Sequence, residues 1–277
     1  EDGHHLTVLS RKPEKVVALL CGEQVVAINN LENLTTHDQF DAIINLAGEG
    51  IADTRWTEAR KQILWDSRIK TTEQIISYLK RAEPKPDVLI SGSAVGYYGN
   101  CGDSELDEKS GFHDDFSHRL CAKWEETAHK AKILGIRVCI IRTGLVVGDD
   151  GGFLQRMLPV FKSGLGGRMG NGKQWMSWIH RKDYIRIMKL LLESSKLDGI
   201  FNATAPNPVT NREFSRYLGK VLHRPAFLPV PAHVLKIMLG EMSELLLGGQ
   251  KVLPGRLQKE KFKFNFETLH AALEDVL

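Results

Sequence analysis

Three short runs constrain this chain more than any other feature: Asp41-Ala42-Ile43-Ile44-Asn45-Leu46-Ala47-Gly48, Asp87-Val88-Leu89-Ile90-Ser91-Gly92-Ser93 and Arg137-Val138-Cys139-Ile140-Ile141-Arg142-Thr143-Gly144. Each is apolar almost throughout, the mark of a strand buried on both faces rather than one with a wet side. Helical patterns separate them. One runs from about Trp56 to Arg81, with Ile69, Thr72, Ile76 and Leu79 on one stripe. The other runs from about Phe116 to Leu134, with Leu120, Trp124, Ala128 and Ala131 on one face. Strand, helix, strand, helix, strand predicts parallel βαβ units: an α/β fold with an open sheet and helices on both sides. His5-Leu6-Thr7-Val8-Leu9 reads as a further strand, ended by Ser10-Arg11-Lys12-Pro13.

After about Gly148 the texture changes. Helical segments near 153–161 and 183–192 flank a glycine-rich loop, and Gly199-Ile200-Phe201-Asn202-Ala203 returns as a short strand. Thr210-Asn211-Arg212-Glu213 is a capping box that opens another helix. Pro225, Pro229 and Pro231 then interrupt the chain. The expected organisation is a nucleotide-binding type of domain over residues 1–148 and a smaller substrate lobe over 149–277. That lobe should lie over the C-terminal strand ends, where open α/β sheets hold their ligands.

With 42% hydrophobic residues among 277, the chain can bury a sizeable core, which excludes a disordered or fibrous protein. Thirty-seven Lys+Arg against 34 Asp+Glu leave +3, too small and too dispersed a surplus to argue for nucleic acid. No apolar run approaches the roughly 18 residues of a membrane helix. Cys21, Cys101, Cys121 and Cys139 stand far apart and no HExxH occurs, so neither disulfides nor a metal site is expected. A reducing, cytoplasmic setting suits them.

A nucleotide-binding α/β fold begins with a strand, a glycine-rich turn and a helix, and a residue after the second strand reads the ribose. No GxGxxG or GxxGxxG follows a first strand here. Glu1-Asp2-Gly3 instead reads as a helix end with Gly3 just past it, and His5–Leu9 as the second strand. The expectation is that roughly 20 residues, carrying a strand and a glycine-rich turn, precede Glu1 in the natural product. After His5–Leu9 stand Ser10, Arg11 and Lys12. An acidic residue there would bind free ribose hydroxyls, whereas a hydroxyl beside two cations suits a 2′-phosphate. The expected cofactor is therefore NADP(H).

Asn45-Leu46-Ala47-Gly48-Glu49, and Leu89-Ile90-Ser91-Gly92-Ser93-Ala94 with Tyr97-Tyr98-Gly99, resemble the extended short-chain dehydrogenases/reductases of the nucleotide-sugar epimerase/dehydratase group. Ile51-Ala52-Asp53 with Arg55-Trp56, Trp124-Glu125, Arg142-Thr143-Gly144, Trp178-Ile179-His180 and Leu247–Pro254 are similar to its YfcH-like epimerase branch. The resemblance spans essentially the whole chain. It implies a Rossmann-type, doubly wound parallel sheet with a smaller C-terminal lobe, whose first strand and glycine-rich turn this chain lacks. It further implies that Ser10 and Arg11 face the 2′-phosphate and that Leu46, Ala47 and Gly48 run beside the ribose and diphosphate. Arg68 would reach the cofactor, and Val146 would border the nicotinamide.

The wider superfamily uses Tyr-x-x-x-Lys, in which the lysine lowers the tyrosine pKa for proton transfer. Counting back from Glu125 puts Ser117 at the tyrosine position and Cys121 at the lysine position. Lys123 would point about 200° round the helix from there. The catalytic candidates are therefore Ser93, at a strand end, and Tyr97 or Tyr98 in the turn after it. Gly167-Arg168-Met169-Gly170-Asn171-Gly172-Lys173-Gln174 nearly spells a phosphate loop, but Gln174 replaces the Ser/Thr and no strand precedes it. Gly167, Arg168, Trp178 and His180 are expected on the substrate side. Two functions follow: an NADP(H)-dependent oxidoreductase or epimerase-like enzyme acting on a small carbonyl or a sugar nucleotide, or an NADP(H)-binding protein without turnover. A homodimer is compatible with both.

Overall fold

The computed structural model describes residues 3–20, 25–149 and 151–277. Its first half contains β1 (Leu6–Leu9), α1 (Pro13–Leu20), β2 (Val25–Ile28), β3 (Ala42–Asn45), α2 (Glu58–Arg81), β4 (Val88–Ala94), β5 (Glu105–Leu106), α3 (Phe116–His129), β6 (Arg137–Thr143) and β7 (Leu145–Val147). Then come α4 (Gly152–Lys162), β8 (Trp175–Met176), β9 (Trp178–His180), α5 (Arg181–Glu193), β10 (Gly199–Ala203), β11 (Val209–Thr210) and α6 (Asn211–Val221). The last elements are α7 (Ala232–Leu239), α8 (Glu244–Leu247), β12 (Lys251–Val252), α9 (Gly255–Lys259) and α10 (Leu269–Val276).

The central sheet is all parallel, in the order β10-β6-β4-β3. Alternation along its strands sorts side chains to two faces. Leu89, Val138 and Ile140 join Ile75, Ile76 and Leu79 of α2 and Ala128 of α3 in one buried cluster. Val88, Ile90, Cys139 and Ile141 point the other way, onto Ile187 and Leu191 of α5. Helices thus cover both faces, the doubly wound α/β arrangement read from the sequence.

Two departures are instructive. Pattern-reading found neither α1 nor β2, which form a small unit with β1: β1 and β2 pair in parallel as a separate two-stranded sheet. Leu6, Leu9, Val17, Leu19 and Val26 all remain exposed on it. The second departure is β3, expected to be buried on both faces. Ile44 is 47% exposed and Leu46, just past the strand, 48%. The reason is topological: β3 is an edge of the four-stranded sheet, and only β4 pairs with it among the described residues.

Helix ends follow local chemistry. Thr57 caps α2, accepting from the Arg60 amide at 3.1 Å. Trp56 stays outside that helix, giving its indole N–H to the Ile51 carbonyl (2.9 Å). The second long pattern ends as an α-helix at His129, and residues 130–134 tighten into a 3-10 turn closed by Gly135 at φ +80°. In the second half, Val147, Leu154, Phe161, Trp178, Phe214 and Leu273 form a separate core. The capping box on Thr210 and Glu213 is present. No helix among the described residues is long and apolar enough to cross a membrane.

Candidate functional site

Parallel strands in register bring their C-terminal ends to one edge. After β1, the Ser10 hydroxyl accepts from the Lys12 amide (3.1 Å), leaving Arg11 and Lys12 exposed. The Arg11 side chain is 88% exposed and pairs with Glu49, in the loop after β3. Glu49 is fixed by its backbone: its N–H donates to Ser67 Oγ and its carbonyl accepts from Arg68 Nη2, both at 3.0 Å. Arg60 stands 3.7 Å from the same carboxylate.

Leu46, Ala47 and Gly48 form an open ridge beside this loop. A Cβ on Gly48 would lie 2.9 Å from Arg68 Cζ, so the missing side chain is what lets that guanidinium lie against the backbone. Arg68 also donates to the Leu64 carbonyl (3.1 Å) and stands 5.4 Å from the Trp124 ring centre. Burial lowers its pKa. Val146, half-buried, sits in β7 opposite Ile179 of β9.

At the end of β4 a buried polar chain begins. Ser93 Oγ donates to Glu125 Oε1 at 2.7 Å. Arg142 grips that carboxylate with two bonds, Nε to Oε1 and Nη2 to Oε2, both 2.8 Å. Its third nitrogen donates to the Tyr98 hydroxyl (3.0 Å), which in turn donates to Asn202 Oδ1 (2.7 Å). Ser93, Tyr98, Glu125, Arg142 and Asn202 are all buried. Burial opposes the charge on Arg142, and its bonds to Glu125 outweigh that, so its pKa is raised.

This sorts the catalytic candidates by what their hydroxyls already do. Tyr98 is closed in on every side, and burial pushes its phenol up to about 12. The Ser93 hydroxyl donates to Glu125, which leaves its oxygen to accept from a ligand. Tyr97 is half-buried, its ring 3.3 Å from the Arg142 guanidinium, and its hydroxyl has no hydrogen-bond partner among the described residues.

Ser117 and Cys121, the residues reached by counting back from Glu125, both face the turn after β4. A Cβ on Gly96, in the turn after β4, would stand 3.2 Å from Ser117 Cβ and 3.9 Å from Cys121 Sγ. Burial, reinforced by Glu125, pushes the Cys121 thiol up to about 12. Lys123 pairs outward with Glu126 at 2.9 Å. A stability prediction follows. Tyr98 and Cys121 hold their protons more tightly folded than unfolded, from ordinary values of 10 and 9. Their contribution is therefore complete below pH 9 and is lost as pH rises toward 12. Cys121→Ala should make the fall of stability across that window shallower by about 1 kcal/mol per pH unit, read by urea unfolding. An unchanged slope would show that the thiol ionises freely in the fold.

On the expected substrate side, the structure puts several residues in the interior. Trp178 is fully buried, its indole N–H held by the Asn207 carbonyl (3.0 Å). His180 is buried too: Nδ1 accepts from the Lys182 amide (3.1 Å) at the start of α5, and the ring stacks on Phe266 at 3.8 Å. Its Nε2 lies 3.2 Å from Asp275 without the alignment of a hydrogen bond. Burial lowers the imidazole's pKa. Gly167 is a close-approach glycine, since a Cβ there would strike the Leu228 carbonyl at 2.0 Å. Arg168 turns back on its own loop, to the Asn171 carbonyl (3.0 Å). The cleft beside this loop is lined instead by Asn100, Asp103, Lys173, Trp175 and Leu247. Sequence reasoning quoted Glu49 only as the end of the Asn45–Glu49 run and did not find its pair with Arg11, since that contact joins two separate segments.

Comparison with known proteins agrees with this geometry. Residues 1–203 match the NAD dependent epimerase/dehydratase family, and residues 230–276 match a domain of unknown function, DUF1731. The chain is 37% identical over 287 residues to the "Epimerase family protein SDR39U1 homolog, chloroplastic" of Arabidopsis thaliana, covering 100% of this chain and 80% of that protein. It is 35% identical over 280 residues to the epimerase family protein YfhF of Bacillus subtilis, covering 99% and 90%. Among solved structures, the human epimerase family protein SDR39U1 with NADPH superposes with a TM-score of 0.89 at 34% identity, covering 99% of this chain and 91% of that one. The family match covers nearly three-quarters of the residues and the two relatives align over 99–100% of this chain, so the chain belongs to the NAD dependent epimerase/dehydratase family.

Proposed function

We propose that this protein binds NADP(H) across the C-terminal ends of β1, β3, β4 and β6. It would act there as an NADP(H)-dependent oxidoreductase or epimerase-like enzyme on a small carbonyl or a sugar nucleotide. The observation that carries the reading is that Arg11, just after β1 and beside Ser10, meets Glu49 in the loop that directly follows the ridge Leu46-Ala47-Gly48 at the end of β3. The human relative, solved with NADPH, supports it. The residues fit such a group: Arg11 is exposed, Ser10 stands beside it, and the missing side chain of Gly48 lets the Arg68 guanidinium pack against the backbone at the end of β3.

When bound, a nicotinamide supplies hydride-transfer chemistry; the chain's own residues hold and orient. Arg11 and Ser10 would take the 2′-phosphate, with Lys12 adding charge, and Arg68 the nearer parts of the cofactor. Val146 would border the nicotinamide. Ser93, its proton committed to Glu125, would accept from a ligand donor. Tyr97 is the phenol free to exchange a proton with substrate, whereas Tyr98 braces Arg142. Gly167 and Arg168 would shape the loop beside the substrate cleft, with Trp178 and His180 as the wall behind it. A reducing compartment such as the cytoplasm suits the free thiols of Cys101, Cys121 and Cys139.

One observation favours a second reading, cofactor binding without turnover: Ser117 and a protonated Cys121 stand where the proton-transfer dyad would be. NADPH oxidation against quinones, aldehydes and keto-sugars, from neutral to alkaline pH, separates the two. The enzyme reading expects slow turnover that falls toward alkaline pH, because reducing a carbonyl consumes a proton that a phenol must donate, and a loss of about a hundredfold in Tyr97→Phe. An active protein indifferent to Tyr97→Phe refutes that assignment. Tight NADPH binding with no oxidation of any substrate leaves the binding-protein reading standing.

A further inference from the structure

The cation proposed to read the 2′-phosphate already has an anion. Arg11 reaches from the end of β1 to Glu49, the residue that follows the ridge where the cofactor would lie. The two sides of that pair are unlike. The Arg11 side chain is 88% exposed, whereas that of Glu49 is only 21% exposed. Ser67 and Arg68 hold the Glu49 backbone on both sides, and Arg60 flanks its carboxylate at 3.7 Å. Glu49 is thus a held carboxylate on which an exposed guanidinium rests.

We propose that Glu49 is an internal competitor for the cofactor's 2′-phosphate and so sets how strongly the site distinguishes phosphorylated from unphosphorylated dinucleotide; this rests on the NADP(H) reading above. A 2′-phosphate carries about −1.5 to −2 charge and three acceptor oxygens, against −1 and two for the carboxylate, so it can draw Arg11 away. A ribose 2′-hydroxyl cannot. The contact with Glu49 must be given up before Arg11 can serve the phosphate, and that lowers affinity for NADPH while leaving NADH untouched. The nearby Asp53 pairs with Arg156 of α4 and shares Arg60 with Glu49, but it does not touch Arg11, so it controls for a lost carboxylate in the same loop.

The test is calorimetric titration of NADPH and NADH into the unmodified protein, Glu49→Gln, Asp53→Asn and the double variant Glu49→Gln/Arg11→Ala. Gln keeps the length and both backbone bonds of position 49. Exposed ion pairs are weak, so Glu49→Gln should tighten NADPH by about two- to fivefold at low salt, less at high salt, with NADH unchanged. Asp53→Asn should leave the NADPH/NADH ratio as it was, and removing Arg11 should abolish the gain. An unaltered NADPH affinity in Glu49→Gln, or equal tightening of NADH, overturns the inference while the NADP(H) reading stands. Failure of the unmodified protein to bind either dinucleotide overturns both.

Discussion

Arg142→Leu is expected to destabilise the protein by about 3–5 kcal/mol in urea unfolding, because it leaves a buried carboxylate without its cation. Glu125 lies in the interior with Arg142 as its ionic partner, and the same guanidinium donates to Tyr98 and underlies the Tyr97 ring. Desolvating both charges has already been costly, so the pair as a whole adds little net stability, and breaking it on one side is what hurts. Replacing both Glu125 and Arg142 by apolar residues should therefore cost less than replacing Arg142 alone. A single-variant loss below about 1 kcal/mol would mean that water reaches the pair in solution.

Arg11→Ala should close most of a tenfold or larger gap between NADPH and NADH affinities, since a charge-assisted bond to phosphate contributes about 1.5–3 kcal/mol. The exposure of Arg11 puts the expectation at the low end of that range and makes it fall with salt. Arg68→Ala is the contrasting variant. Its guanidinium packs against Gly48 at the end of β3 and bonds backbone carbonyls rather than Arg11 or Ser10, so it should weaken both dinucleotides alike. If Arg11→Ala also weakens both alike, Arg11 is not the phosphate reader.

β4 and β6 could be read directly because both faces of each are covered, which forces an uninterrupted apolar run. The same rule misjudged β3, whose sequence resembles theirs while its outer edge has no paired strand here. It missed α1 and β2 because an eight-residue helix and a four-residue strand are too short for periodicity to stand out. In the site, counting along α3 found Ser117 and Cys121, since helical spacing carries position faithfully. Counting could not find the Ser93–Glu125–Arg142–Tyr98 chain, whose members come from three elements and a turn. Nor could it tell that Trp178 and His180 face inward: a Trp-Ile-His strand looks the same whether it lines a cleft or a core.

The most direct measurement is a calorimetric titration of NADPH into the unmodified protein at low salt, followed by competition with 2′,5′-ADP. The account predicts saturable one-to-one binding that 2′,5′-ADP displaces, with NADH at least tenfold weaker. Absence of saturable binding, or NADH bound as tightly as NADPH, would contradict it.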